Sequence, residues 1–116
     1  MSEKIVLHTT PMGSKRFSVM SDTERCNFAA VTGDAEALDM LAYDDNVEVR
    51  LDVAYNNMAG TNTLERLARD KNASIRFWVA KNPNVSDTVL RVLAHDSDKS
   101  VRWQARSHIS NRRKPL

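Results

Sequence analysis

The sequence holds one cysteine, three glycines and three prolines in 116 residues, with aromatic side chains at 6% and no dominant charge sign at a formal net charge of +2. A single thiol, Cys26, excludes an internal disulfide and fits a reducing cytoplasm, where the chain is expected to reside. No apolar run approaches the ~20 residues of a membrane span, and the amino terminus lacks the h-region of a signal peptide. No glycine-rich phosphate loop and no nucleophile elbow are present, and Cys26 has no recognisable histidine partner. His8, His95 and His108 are scattered, without a second ligand at helical spacing. No catalytic residue, metal ligand or cofactor is therefore expected. At this length one small domain is expected, and the near-neutral charge sets it apart from strongly basic nucleic-acid coats and from acidic tails.

What the sequence does have is an internal period. Leu38, Leu41, Ala42, Asp44, Val49, Arg50, Val53, Ala54 and Asn56 return 26 positions later as Leu64, Leu67, Ala68, Asp70, Ile75, Arg76, Val79, Ala80 and Asn82. They return again as Leu90, Leu93, Ala94, Asp96, Val101, Arg102 and Ala105. One interval kept at so many positions means that stacked supersecondary units build the fold. Each unit reads as two short helices. Leu64, Leu67 and Ala68 have the i, i+3, i+4 spacing of an inward stripe, as do Leu90, Leu93 and Ala94. Thr61 and Ser86 stand as N-caps before these helices, and Asp34 or Thr32 before the helix holding Leu38. The second helix follows Asp44, Asp70 or Asp96 and a polar turn. It ends near Asn56-Asn57 or at Asn82-Pro83, where proline stops a helix and asparagine suits a left-handed terminal residue. Gly33 and Gly60 mark breaks between units.

Upstream, Ser21-Asp22-Thr23-Glu24 forms a capping box, and Arg25, Phe28 and Ala29 stand where Arg50, Val53 and Ala54 stand. Ser21 to Val31 is thus a capping helix. Pro11-Met12-Gly13-Ser14 lies between the apolar stretches Ile5-Val6-Leu7 and Phe17-Ser18-Val19, which predicts a hairpin or an extended arm. The expected organisation is an N-terminal arm over 1–20, a repeat array over 21–109 and a basic, frayed tail over 110–116.

The segment from Asn82-Pro83 through Ser86, Leu90, Leu93-Ala94, Asp96 and Val101-Arg102 resembles the leucine-rich repeat variant, a short relative of HEAT-like repeats. That family reads Asn-Pro, a capping Ser or Thr, Leu-x-x-Leu-Ala-x-Asp, a polar turn, Val-Arg and Val-Ala-x-Asn-Pro. Residues 34 to 109 match it in three copies; Asn56-Asn57-Met58 departs from Asn-Pro, and Arg106 replaces an alanine. The resemblance implies an all-α chain, a short right-handed α-solenoid whose second helices line one face. Some members of that family carry an iron-sulfur module, but one cysteine cannot supply four thiolates, so no cluster is expected. DNA glycosylases built of HEAT-like helical pairs look similar through Trp78, Trp103 and nearby acids, yet this chain is too short for their concave groove.

Two readings attach to the repeated charges. Asp44 with Arg50, Asp70 with Arg76 and Asp96 with Arg102 form a structural ladder if each guanidinium bridges a carboxylate and helix-terminal carbonyls at a unit boundary. Otherwise the arginines are a phosphate-binding row. Positions that vary between copies carry the functional expectation. Leu51, Phe77 and Trp103 follow the arginines, Tyr55, Lys81 and Ser107 lie four residues further on, and Trp78 sits beside them. Helical rotation puts this row opposite Val49 and Val53, either exposed as a binding strip or buried between neighbouring helices. Exposed, it makes the chain a non-catalytic adaptor or inhibitor that binds another protein through Leu51, Tyr55, Phe77, Trp78, Lys81, Trp103 and Arg106. The alternative follows from charge. Residues 33 to 62 carry seven acids against Arg50, whereas every charged residue from Lys99 onward is basic. Lys81, Lys99, Arg102, Arg106, Arg112, Arg113 and Lys114 would then contact nucleic-acid phosphates at the C-terminal end.

Overall fold

A computed structural model describes residues 17–113, which form seven α-helices and no strand. In chain order these are α1 (Asp22–Val31), α2 (Ala35–Leu41), α3 (Val47–Tyr55), α4 (Thr61–Leu67), α5 (Ala73–Lys81), α6 (Asp87–Leu93) and α7 (Lys99–Arg113). Residues 17–20 of the expected N-terminal arm form a turn in which the Met20 amide donates to the Phe17 carbonyl at 3.1 Å, and the rest of that hairpin or arm falls on residues outside the described ones. So does Lys114 of the expected tail.

Local chemistry sets most helix starts. Ser21 and Glu24 close a reciprocal capping box on α1, with Glu24 Oε1 accepting from the Ser21 amide at 2.8 Å and Ser21 Oγ accepting from the Glu24 amide at 3.1 Å. Asp34 caps α2, Asn46 caps α3, Asn72 caps α5 and Ser86 caps α6, each by accepting backbone amides of the first turn. Asp98 Oδ1 does the same for α7, accepting from the amides of Ser100 and Val101. The expectation for Thr61 is corrected. Gly60 is the N-cap of α4 and offers no side chain to it, while Thr61 is already helical. The helix ends need a second correction. Asn56 and Asn82 are extended at φ −72° and −69°, and no described residue has positive φ.

The helix-to-helix contacts follow the period. α1 packs on α3, α3 on α5 and α5 on α7; α2 meets α4, and α6 packs on α7. Leu38, Leu64 and Leu90 are each completely buried, as are Val49 and Ile75, with Val101 nearly so. Val53, Val79 and Ala105 line the same core from the second helices. The corresponding positions of the three copies are therefore all buried. Every buried leucine contributes roughly 2 kcal/mol through apolar area removed from water. At the start of the described chain Phe17 is buried against Phe28, with ring centroids 5.7 Å apart.

Two ladders of hydrogen bonds join the second helices. In the first, Arg25 Nε donates to Asp44 Oδ2 at 2.7 Å, Arg50 Nε to Asp70 Oδ2 at 2.8 Å and Arg76 Nε to Asp96 Oδ2 at 2.9 Å. Each arginine reaches the aspartate of the following unit. The aspartate six positions before it in its own unit offers only a backbone carbonyl, as Asp44 O does to Arg50 Nη1 and Asp70 O to Arg76 Nη1, both at 2.8 Å. The same carboxylates accept the amides of Asn46, Asn72 and Asp98, so one side chain shapes a turn and anchors a neighbour.

The second ladder runs through Asn56 and Asn82, which are only 5% and 3% exposed. Asn56 Nδ2 donates to the carbonyls of Ala29 and Thr32, and Asn82 Nδ2 to those of Ala54 and Asn56, all at 2.9 Å. These residues thus satisfy helix-end carbonyls of the preceding unit, which needs a buried amide and no left-handed backbone. One period on, His108 takes the same place, with Nδ1 2.8 Å from the Ala80 carbonyl. There α7 does not stop. It continues to Arg113, so residues 110 to 113 are helix where a frayed tail was expected. Arg112 clamps this extension, donating to Asp87 Oδ1 at 2.7 Å and to the carbonyls of Pro83 and Val85.

Candidate interaction surface

The row after the ladder arginines changes character along the molecule. On α3 and α5, Leu51 and Phe77 are half-buried and packed against the core, whereas Trp103 on α7 is 66% exposed. Tyr55, near the end of α3, is 55% exposed. Its ring meets Trp78 of α5 edge to face, centroids 5.0 Å apart at 79°, and Trp78 meets Phe77 in the same way at 5.8 Å and 86°. Lys81 Nζ stands 5.4 Å from the centre of the Trp78 ring. The structure thus brings Tyr55, Trp78, Phe77 and Lys81 into one cluster. Trp103 joins at its edge, where Phe77 and Trp103 line the same open groove along α7. Leu51 lies apart from the ring contacts. A smaller groove between α1, α3 and α5 is lined by Ala30, Tyr55, Asn57, Trp78 and Lys81.

Sequence position explains the cluster. Trp78 stands one period after Asp52, and Lys81 one period after Tyr55, so the two helices present different chemistry from equivalent places. Around Asp52 the surface is acidic. Burial raises the Asp52 carboxyl above its ordinary pKa, the Cys26 thiol bound to it pulls the other way, and Glu48 adds to the rise. Cys26 is also pushed up, by burial first and then by the Asp52 charge, so the thiol stays protonated near neutrality. The face runs from acidic at Glu48 and Asp52 on α3 to aromatic and basic on α5 and α7.

The remaining basic residues fall into two groups. Lys99, Arg102 and Arg106 line the α7 groove together with Trp103. Arg106, exposed, donates from Nε to the Ala94 carbonyl at the end of α6. Arg112 is committed to Asp87 and two carbonyls on another side of α7, and Arg113 is exposed. The basic residues after Lys99 therefore do not form a single surface. In the ladder, burial alone would raise Asp96, but the Arg76 fork and the Asp98 amide hold it below its ordinary value. Arg76 is raised in return by Asp96, and Arg25 by Asp44.

The asparagine-to-histidine ladder and the Arg112 clamp are features that local sequence patterns did not reveal. The period itself carried the signal for His108, since 56, 82 and 108 are evenly spaced. Among the described residues, no three His, Cys, Asp or Glu side chains gather closely enough to hold a metal ion, and no helix is long and apolar enough to cross a membrane. Comparison with protein-family models, curated proteins and solved structures gave no match to this chain.

Proposed function

We propose that this chain is a non-catalytic protein-binding domain, an adaptor or inhibitor, whose helical pairs stack as a short right-handed α-solenoid of the HEAT-like, leucine-rich-repeat-variant kind. Its docking surface is the strip of Tyr55, Phe77, Trp78 and Trp103, with Leu51, Lys81 and Arg106 at the margin. The observation that carries this reading is the exposure of Tyr55 and Trp103 on either side of the edge-to-face Trp78. Large aromatic rings left in water on a scaffold with no unsatisfied buried side-chain polar atom among the described residues are surplus to folding. They supply contact area at low entropic cost, because two torsions fix each ring and the stack beneath is rigid.

The nucleic-acid alternative draws less support. Among the described residues Arg112 is paired with Asp87, Lys81 lies over Trp78 and Arg113 stands apart, so that the groove along α7 holds three cations, Lys99, Arg102 and Arg106. Affinity purification of the tagged chain from its native cell, with and without nuclease, tests the proposal against that alternative. A nuclease-resistant protein partner should be recovered by the wild type and lost with Tyr55→Ala/Trp103→Ala, while the circular dichroism of the double variant is unchanged. Equal recovery by the variant, or recovery abolished by nuclease, discards the aromatic strip as the docking surface.

A further inference from the structure

Inside the stack, the side of each second helix that faces the next unit has two marks. Its arginine is filled by a carboxylate, and the residue four positions later is an alanine with no room around it. Arg25, Arg50 and Arg76 are bonded to Asp44, Asp70 and Asp96, and Ala29, Ala54 and Ala80 are completely buried. On α7 both marks are missing. Arg102 Nη1 is fixed on the carbonyls of Asp96 and Ser97 just as the earlier arginines are fixed on theirs, but no carboxylate among the described residues meets its Nε and Nη2. Where the alanine should be stands exposed Arg106. Beside them runs an open groove of about 950 Å³ whose lining includes Lys99, Trp103, Ser107 and Asn111, with no acid.

We propose that this outer face of α7 is a second docking site, one that takes a carboxylate-bearing segment of another protein by completing the rung that Arg102 leaves half filled. Three copies of the same guanidinium geometry in this molecule show what the vacant fork accepts. With Nη1 held by the turn, Nε and Nη2 present two parallel donors to a planar carboxylate. Lys99 and Arg106 add unspecific attraction for acid, and Trp103 offers apolar area to the residues flanking it. Three cations beside an indole fit one acidic segment with apolar neighbours better than a run of phosphates. A second copy seated α7 to α7 would set these cations against each other. The chain's first sixteen residues match the groove poorly, since their one acid, Glu3, stands against Lys4, Lys15 and Arg16. The site shares Trp103 and Arg106 with the aromatic strip, but Tyr55 lies two second helices away and Arg102 has no part in the strip, so Arg102→Lys and Tyr55→Ala tell the two readings apart.

The test is selection of a phage-displayed library of random short peptides on the immobilised full chain, followed by anisotropy titration of the recovered sequences. Recovered peptides should share an Asp or Glu flanked by apolar residues. Arg102→Lys, which keeps the charge but not the fork, and Arg106→Gln, which alters an exposed side chain, should each weaken them ~10-fold or more, whereas Tyr55→Ala should leave them unchanged. Replacing the peptide acid by its amide should cost as much. If Arg102→Lys unfolds the chain, Arg106→Gln and the amide peptide still decide. Recovery of no peptide or of acid-free peptides, indifference to both variants, or displacement by a single-stranded oligonucleotide that binds more tightly would overturn the proposal. So would concentration-dependent self-association abolished by Arg106→Gln, which would make the occupant a second copy.

Discussion

Asn82 joins the end of α5 to the end of α3 through one side chain. Its amide donates to the Ala54 and Asn56 carbonyls at 2.9 Å, and its Oδ1 accepts from the Asn84 amide at 2.8 Å. Truncation to alanine removes all three bonds. The Ala54 carbonyl is orphaned in a buried environment at about 1 to 1.5 kcal/mol, whereas the Asn56 carbonyl keeps the Ala59 amide at 3.1 Å and the Asn84 amide recovers part of its loss from water. The expected destabilisation is about 2 kcal/mol, which for a domain of this size lowers Tm by about 8 °C. Urea unfolding followed at the helix dichroism band, with calorimetry beside it, measures both. Two companions sharpen the result. Asn57→Ala, at an exposed position, should stay within ~0.5 kcal/mol of wild type. Asn82→Asp, nearly identical in shape, should lose more than the alanine variant, because it turns an ionised acceptor toward two carbonyls. A loss below ~1 kcal/mol for Asn82→Ala, or wild-type stability for Asn82→Asp, would refute the assignment of this residue as a cross-unit anchor.

Other substitutions test the remaining parts of the framework. Gly60 has φ −78° and ψ 170°, open space where a Cβ would sit, and no side-chain cap to give α4, so Gly60→Ser should stabilise the chain by ~0.5–1 kcal/mol in urea titration. Asp96 is held below the ordinary 3.8 by the Arg76 fork, so its contribution is complete above 3.8 and is lost as pH falls through its lower folded value. Asp96→Asn should therefore be less stable than wild type by a constant margin from pH 7 down to about 3.8, and the gap should close progressively below that pH. Asp52 has the opposite sign, because a raised folded pKa means that stability falls as pH rises through it. Asp52→Asn should be the more stable protein at pH 7 and lose that advantage in acid. The same variant should speed alkylation of Cys26 by iodoacetamide, since it removes a charge that holds the thiol protonated.

The elements legible in the sequence are those fixed within one unit. The capping box at Ser21 and Glu24, the caps at Asp34 and Ser86 and the inward leucines all depend on residues three or four apart, and their signals are local. Less legible was anything that joins units. The arginine-aspartate spacing of six pointed at the right residues, but the side-chain partner lies 20 positions ahead, and the near aspartate contributes only its carbonyl. Asn56 and Asn82 invited a backbone explanation because asparagine is common at left-handed helix ends, while their partners sit 24 to 28 residues back. Gly60 was legible by period alone. It stands 26 positions from both Asp34 and Ser86, yet the hydroxyl of Thr61 gave the stronger local signal. Whether the aromatic row would be buried could not be read from the sequence, because exposure at Phe77 and Trp103 depends on what stands beyond each helix.

The division of labour within a unit explains why function should lie in the residues that break the pattern. Arginine, the two inward aliphatic positions and the terminal asparagine hold one unit to the next, and each is constrained by buried hydrogen bonds or by close packing. The position after the arginine reads Cys26, Leu51, Phe77 and Trp103 along the stack, and the next reads Asn27, Asp52, Trp78 and Gln104. No common structural role can be filled by tryptophan, aspartate, asparagine and glutamine at equivalent places, so that place is free of framework duty. Freedom from that duty permits a gradient across one rigid face, acidic at Glu48 and Asp52 and aromatic from Tyr55 to Trp103. A partner that covers the face must match both ends in the right order. If the proposed partner covers this face, the gradient sets the direction in which it docks as well as its strength, and Asp52→Lys should weaken binding more steeply at low salt than Tyr55→Ala does.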